Sequence, residues 1–279
     1  MQPQSFLFIR YTMKLRTHPL EKPWGRLNVP ATFNMRADKK IGEIWYDDGN
    51  PVPLPLLVKW LFTSEKLSIQ VHPNDAQARA SGQKSGKEEC WYIVDVQPGA
   101  VLGIGTKIPL DASALKAAAI DGSIESLMDW KPVKAGDFYY IPAGTVHAIG
   151  AGITLVEVQQ YADITYRIYD YGRPRELHLT DGVAVAIAKP YDDIRSGNAI
   201  FSEQLANGPH FNLWLVTDND ALASLASDQL RWITPLSGQV YVGSQSAAAG
   251  DCLLVQPGEV ITMDRDARFL WAVSLECLA

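Results

Sequence analysis

The 279-residue sequence predicts a mostly β chain of two β-sandwich or jelly-roll units, the first larger and carrying a short helical insertion. Three observations predict this. Most apolar segments are short, alternate or run continuously, and stop at Pro, Gly or Asp, as strands do. Twenty-one Gly and 17 Pro supply turn formers for many short connections. Two strand-rich blocks flank a polar stretch marked by Pro190, Gly197 and Gly208, which reads as a linker over residues 189–210.

In chain order, Leu56-Leu-Val-Lys-Trp-Leu-Phe62 is a nearly continuous apolar run holding one lysine, Lys59. Leu67-Ser-Ile-Gln-Val-His72 alternates and ends at Pro73, and is the clearest strand. Glu89-Cys-Trp-Tyr-Ile-Val-Asp-Val96 stops before Pro98-Gly99, and strands follow over 137–142, 153–160 and 165–169. Residues 111–130 differ, with Ala and Leu at helical spacing. Asp111 suits an N-cap and Asp121-Gly122-Ser123 breaks the run, so two short helices are expected there. Residues 177–188 fit either a short helix or a strand. The second strand-rich block covers 211–279. A faint repeat joins the blocks: Gly136-Asp137 precedes Pro142-Ala-Gly144, and Gly250-Asp251 precedes Pro257-Gly258 with one extra residue.

Hydrophobic residues at 47% and charged residues at 20% allow a substantial core. A net charge of −6 argues against a general nucleic-acid binder but leaves room for a local cationic pocket. Cys90, Cys252 and Cys277 form no CxxC and cannot all pair, which fits a reducing compartment, the cytoplasm. No apolar run approaches the ~20 residues needed to cross a bilayer, and Phe6–Ile9 is too short for a signal-peptide core. No membrane partner is expected. Met1 to Thr12 reads as a dispensable extension, or Met13 as the natural start.

Two of the five histidines sit in informative contexts. Gln70 and His72 are two apart in a strand and project from one face, together with Ser68. His147 ends the string Gly136-x5-Pro142-x-Gly144-x2-His147, whose Gly and Pro residues shape a tight hairpin and place the imidazole at a strand's start. This string resembles the second motif of the cupin superfamily, small β-barrels that bind a metal in their mouth. The resemblance implies two cupin-like jelly-roll β-barrels, and it sets Gln70, His72 and Glu89 where the first cupin motif usually supplies two histidines and a glutamate. Imidazole and carboxylate donors suit zinc and other divalent first-row metals, and an amide oxygen is a competent neutral donor.

More specifically, Gln70-Val-His-Pro-Asn-Asp75, Gly86-Lys-Glu-Glu-Cys-Trp-Tyr92 and Ile141-Pro-Ala-Gly-Thr-Val-His147 resemble type I mannose-6-phosphate isomerases (phosphomannose isomerases) of the short bacterial form. Lys22-Pro-Trp-Gly25, Ile41-Gly-Glu-Ile-Trp45 and Ile164-Thr-Tyr-Arg-Ile-Tyr-Asp-Tyr-Gly172 match as well. The resemblance runs from about residue 14 to 180 and then weakens. It implies a catalytic unit over 14–188 with one zinc ion per chain, held by Gln70, His72, Glu89 and His147. Glu89 is preferred to Glu88 because the family motif puts the ligand two residues after a lysine, here Lys87.

The implied reaction interconverts mannose 6-phosphate and fructose 6-phosphate through a cis-enediol(ate). It needs a base, a proton relay between O1 and O2, a stabilising cation and a phosphate anchor. The resemblance gives Arg167 the enediolate and makes Glu157 a candidate acid/base. Lys59 and Lys87 fall in the pocket. A buried ammonium must find a partner or a cavity, and either lysine could be the base if its pKa is depressed, with Lys87 preferred. Ser68 and Arg173 match phosphate-contacting positions, and Arg175 could substitute for Arg173. No histidine follows His210, and Val260-Ile261-Thr262 stands where His147 would repeat. Residues 211–279 are therefore expected to form a degenerate cupin-like unit without metal ligands, covering the first unit or serving an oligomer contact.

The expected partner is a small sugar phosphate, with no nucleic acid, acting on a monomer or homodimer. Two other classes compete. A metal-dependent cupin oxidoreductase or dioxygenase leaves Lys59, Lys87, Arg167 and Arg173 unexplained. A non-catalytic sugar-phosphate-binding regulator derived from the isomerase conflicts with four filled ligand positions.

Overall fold

A computed structural model of the protein describes residues 11–36, 38–226 and 228–276. Four antiparallel sheets stack in layers. The central one has seven strands, in the order Gly197–Asn198, Asp137–Ile141, Glu89–Val96, Ile153–Gln160, Leu56–Phe62, Ile41–Asp47 and Arg16–Arg26. One face of it packs Leu61, Trp91, Ile93 and Leu155 against Leu102, Ile104 and Ile149. Those three belong to a five-stranded sheet ordered Tyr166–Tyr169, Ile69–Val71, His147–Ile149, Val101–Thr106 and Met128–Pro132. The other face packs Leu56, Val58, Trp60, Tyr92 and Val156 against Leu213, Trp232, Leu254 and Leu270 of a six-stranded sheet in the second block. A three-stranded sheet closes that block's far side, with Val240, Val242 and Ile261 against Ile233 and Phe269.

This layering explains the unbroken apolar run at 56–62. A strand covered on both faces has no solvent side to alternate with, and every residue of it is buried. Burying each large side chain contributes about 1.5–3 kcal/mol. Lys59 is the exception in type, and it points with Leu61 toward the five-stranded sheet.

Helices cover the outer face of the five-stranded sheet. Leu115, Ala118 and Ala119 of Ala112–Asp121 and Ile124 of Ile124–Leu127 pack on Ile69, Val71, Ala148 and Ile168. Asp111 caps the first, accepting from Ala114 N–H at 2.8 Å, and Gly122 ends it at φ +81°. The insertion is shorter than 111–130, because Met128–Pro132 leaves the helix to become an edge strand beside Val101–Thr106. The ambiguous stretch 177–188 forms the helix Leu179–Val185. A further helix, Asp75–Ala80, starts with a capping box between Asn74 and Gln77. That N-x-x-Q signal is legible in the sequence.

Residues 189–210, expected as a linker, carry two strands. Gly197–Asn198 pairs with Asp137–Ile141 of the central sheet, and Glu203–Asn207 pairs with Phe211–Val216 of the second block. At the other end, Met13–Lys14 pairs with Leu253–Val255, and Thr12 Oγ1 accepts from Gln256 N–H at 3.0 Å. The first ten residues of the proposed extension, and Cys277, lie outside the described residues. Cys90 and Cys252 are buried free thiols.

The faint repeat is real in the backbone and contains no extra residue. Gly136 and Gly144 recur as Gly250 and Gly258, 114 residues on in each case, and all four adopt positive φ. Asp137 Oδ2 accepts from Lys134 N–H at 2.9 Å, and Asp251 Oδ2 accepts from Ala248 N–H at 3.0 Å, so the same turn is built twice. Only the proline is displaced by one position.

Candidate active site

Two rows of residues face each other between the central and five-stranded sheets. In the five-stranded sheet, strand register places Arg167, Gln70, His147 and Ile104 side by side. In the central sheet it places Trp91, Glu157, Lys59 and Trp45 side by side, with Glu89 in the next interior row opposite Gln159 and Ile141.

Where the rows meet, ligand atoms of His72, Glu89 and His147 all lie within 4.8 Å of one another, and all three residues are buried. His72 Nδ1 donates to Ile164 O at 2.8 Å and His147 Nδ1 donates to Thr145 O at 2.8 Å. Each ring therefore turns the lone pair of its Nε2 inward. Gln70 Nε2 sits 3.2 Å from His147 Nε2, and Ser68 Oγ donates to Gln70 Oε1 at 3.1 Å. A half-turn of the amide exchanges its oxygen and nitrogen. His72 Nε2 and both Glu89 oxygens are buried with no hydrogen-bond partner among the described residues. Burial, helped by the Lys87 ammonium, pushes His72 down to about 3. Burial likewise lowers His147, against the pull of Glu89. Burial works against ionised Glu89, but the Lys87 ammonium above all holds its carboxyl well below the usual range. Two neutral imidazoles and one carboxylate, all aimed at one point, are the protonation states a divalent metal requires. Unpaired buried polar atoms are otherwise costly, so this donor set fits zinc.

Beyond these residues opens a cavity of about 290 Å³, lined among others by Lys22, Glu43, Lys59, Ser68, Gln70, Lys87, Glu157, Asp163, Arg167 and Arg175. Lys59 Nζ donates to Glu157 Oε1 at 2.9 Å, and Trp91 Nε1 donates to Glu157 Oε2 at 3.1 Å. Lys87 Nζ lies 2.8 Å from Glu89 Oε2, at ion-pair distance but off the hydrogen-bond direction, and 3.7 Å from Glu157 Oε1. Lys59 also sits 4.6 Å from the Trp45 ring centroid. Arg167 Nη1 donates to Glu176 O at 2.8 Å while its Nε is buried and has no partner among the described residues.

Two expectations change. A basic Lys87 calls for a lowered pKa, yet here burial is outweighed by Glu157 and Glu89, and the ammonium is held above its ordinary range. Arg173 does not line the cavity. Its Nη2 lies 2.7 Å from Asp170 Oδ1 and donates to Lys66 O at 2.7 Å, outside the rim. Arg175 faces in instead, with Nε and Nη2 donating to Asp170 at 2.6 and 2.7 Å.

Lys22 and Glu43, which fall in Lys22-Pro-Trp-Gly25 and Ile41-Gly-Glu-Ile-Trp45, also line the cavity. Glu43 is buried beside Lys22 at 3.2 Å and accepts from Trp45 Nε1. Burial raises its carboxyl, and Lys59 followed by Lys22 more than reverse that. A glutamate on the inward parity of an otherwise apolar strand was the available signal.

The second block repeats the frame without the chemistry. Glu89 pairs with Ile141 and Arg231 with Val255, 114 residues beyond Ile141, so Arg231 holds the position of Glu89. On the same offset Ile261 replaces His147 and Trp271 replaces Glu157. Arg231 is buried, with Nη1 donating to Glu259 O at 3.1 Å, Nη2 bonded to Gln256 O, and its guanidinium 5.3 Å from the Trp271 ring centroid.

No protein-family model matches the chain. It is 34% identical over 239 residues to a mannose-6-phosphate isomerase of Streptococcus mutans, covering 80% of this chain and 75% of that protein. It is 44% identical over 138 residues to the mannose-6-phosphate isomerase ManA of Bacillus subtilis, covering 47% and 44% of the two. Among solved structures, the mannose 6-phosphate isomerase of Bacillus subtilis superposes with a TM-score of 0.78 at 24% identity, over 94% of this chain and 99% of that one. A zinc-bound mannose 6-phosphate isomerase gives 0.71 at 13%, over 95% and 99%.

Proposed function

The chain belongs to the mannose-6-phosphate isomerase family, and from that premise we infer that it interconverts mannose 6-phosphate and fructose 6-phosphate through a cis-enediol(ate). The observation that carries this reading is the inward-facing set of His72, Glu89 and His147, adjoined by Gln70 and Lys87 of a cavity that Lys59, Arg167 and Arg175 also line. At about 290 Å³ the cavity lies near the lower end of small-molecule pockets, about 300–1,000 Å³.

One zinc ion per chain, held by Gln70, His72, Glu89 and His147, would supply a Lewis acid for the sugar oxygens. The chain's own residues handle the protons. From aldose to ketose, a base takes the proton from C2 and a proton returns to C1. One hydroxyl proton passes from O2 to O1, so nothing is gained or lost. Glu157 and Lys87 form the acid–base pair. In the ion pair as found, Glu157 takes the proton from C2, Lys87 gives one to C1, and a proton passing from Glu157 to Lys87, 3.7 Å apart, resets the pair. Arg167, beside Gln70 in register, steadies the enediolate with its delocalised guanidinium charge. Ser68, Lys59 and Arg175 hold the substrate, with Arg175 taking the phosphate role expected of Arg173.

Residues 14–188 form the catalytic unit and 211–279 a metal-free unit that covers it, joined through 189–210. The enzyme acts in the cytoplasm, a reading the buried free thiols Cys90 and Cys252 support, as a monomer or homodimer. No helix among the described residues is long and apolar enough to cross a membrane. The deciding experiment is metal analysis combined with a coupled mannose 6-phosphate assay, before and after chelation. Turnover that survives complete removal of metal would reject the reading.

A further inference from the structure

We propose that Gln160 is a positioning residue for the metal-binding loop, and that His210, at the end of the connecting segment, and Glu276 of the second unit hold it in place. This rests on the zinc site described above.

Gln160 ends the strand Ile153–Gln160 and is 1% exposed. Its main-chain N–H donates to Glu88 O at 3.1 Å, and its side-chain Oε1 accepts from Glu88 N–H at 3.0 Å. Both peptide groups of Glu88 are thereby clamped, between Lys87 on one side and Glu89 on the other. The two hydrogens of Gln160 Nε2 go to Asp75 Oδ1 at 3.1 Å and Glu276 Oε1 at 3.0 Å. A flipped amide would set an oxygen against both carboxylates, so this orientation is fixed. His210 Nδ1 lies 3.1 Å from Gln160 Nε2 and 3.1 Å from Glu276 Oε1. With both amide hydrogens committed, His210 Nδ1 must carry its own hydrogen and donate it to Glu276.

Asp75 closes the circuit. Its Oδ1 also accepts from Gly86 N–H at 2.8 Å, and Lys87 N–H donates to Pro73 O at 3.0 Å. A Cβ on Gly86 would meet Asn74 C at 2.4 Å, so the loop before Lys87 lies directly on the segment after His72. The two chain segments that deliver His72 and Glu89 are joined to each other and to the second unit by one amide. Leu275 N–H donates to His210 O at 2.8 Å and keeps His210 beside Glu276. Groups behind metal ligands set ligand position, and losing one directly behind a ligand costs about 10–100-fold in affinity.

The test uses zinc-loaded enzyme and follows zinc release to a chromogenic chelator, with kcat, KM and Tm measured alongside. Gln160→Ala should release zinc about 10–100-fold faster. Glu276→Ala and His210→Ala act one bond further out and should give about 3- to 10-fold, with kcat lowered and KM unchanged. Glu276→Gln keeps an acceptor oxygen and should restore near-normal release. Arg268→Ala is the control: its Nη2 donates to Tyr92 Oη at 3.2 Å, joining the two blocks away from the loop. It should lower Tm and leave zinc release alone. If Gln160→Ala fails to fold, Glu276→Ala decides, because that side chain is 37% exposed. Zinc release and kcat in Glu276→Ala equal to those of the unaltered enzyme, or Arg268→Ala behaving like Glu276→Ala, would overturn the inference. An unaltered enzyme that retains no zinc would overturn the metal reading itself, and this one with it.

Discussion

Lys59 and Glu157 stand directly opposite each other on neighbouring antiparallel strands, Nζ 2.9 Å from Oε1, with 6% and 5% of their side chains exposed. The carboxylate is shared, because Lys87 lies 3.7 Å from the same oxygen and Trp91 donates to the other. The two ends of the pair are therefore unequal. Glu157→Gln leaves two buried ammoniums without their common counter-charge and should cost about 3–5 kcal/mol. Lys59→Met leaves Glu157 with Lys87 and Trp91 and should cost about 1–3 kcal/mol. Urea unfolding of the zinc-loaded protein measures both. Equal losses, or the reverse order, would remove the shared carboxylate from the account.

Removing the imidazole of His147 takes away one of the two inward-facing Nε2 donors. His147→Ala should strip most of the zinc and nearly abolish turnover. The near-ultraviolet circular dichroism should largely persist, since Tyr46, Trp60, Tyr92, Phe211 and Trp232 pack together on the opposite face of the central sheet. Metal analysis reads the first effect, and a variant that binds a full equivalent of zinc would exclude His147 from the ligand set.

What could be read from the sequence follows strand parity. Ser68, Gln70 and His72 share a face because side chains alternate, and the same rule turns Glu89 inward with Trp91 while Glu88 goes outward to Tyr140. Lys59 was legible as the one charge in a run that both neighbouring layers cover. Parity does not survive a turn. Between the strand Tyr166–Tyr169 and the two arginines lie Tyr171 at φ +54° and Gly172 at φ +77°, so nothing local says that Arg175 faces in and Arg173 out. Nor does local pattern reveal that Met13–Lys14 pairs with a strand some 240 residues later, or that 189–210 contributes strands to two sheets.

Arg231 occupies in the second unit the register position of Glu89 in the first. Its guanidinium satisfies the main-chain oxygens of Gln256 and Glu259 in the turn that matches the one before His147. Arg231→Met keeps the stem and removes the donors to those carbonyls, which should cost about 1–3 kcal/mol. Zinc content and kcat should stay unchanged, because the chemistry belongs to the other unit. Loss of a bound metal in Arg231→Met would show that the second unit has a site of its own.

Three arginines follow one another within nine residues, and their surroundings separate their roles. Arg167 adjoins Gln70 in register and has a buried Nε with no partner among the described residues, so it stands where charge develops. A contact made mainly in the transition state lowers kcat when lost, so Arg167→Ala should reduce kcat far more than it raises KM. Arg175 reaches the cavity while Asp170 fixes its guanidinium from behind. A phosphate contact persists in ground and transition states alike, so Arg175→Ala should raise KM for the sugar phosphate and leave zinc in place. One charge-assisted contact is worth about 1.5–3 kcal/mol, or about 10- to 150-fold. Arg173 is spent on Asp170 and Lys66 outside the rim. Arg173→Ala should therefore lower stability and change KM by less than Arg175→Ala, by as much as it loosens Asp170 and, through it, Arg175. Steady-state kinetics on the three single variants and the 173/175 double variant settle the order. A larger KM effect at Arg173 than at Arg175 would return the phosphate to the position the family pattern gave it.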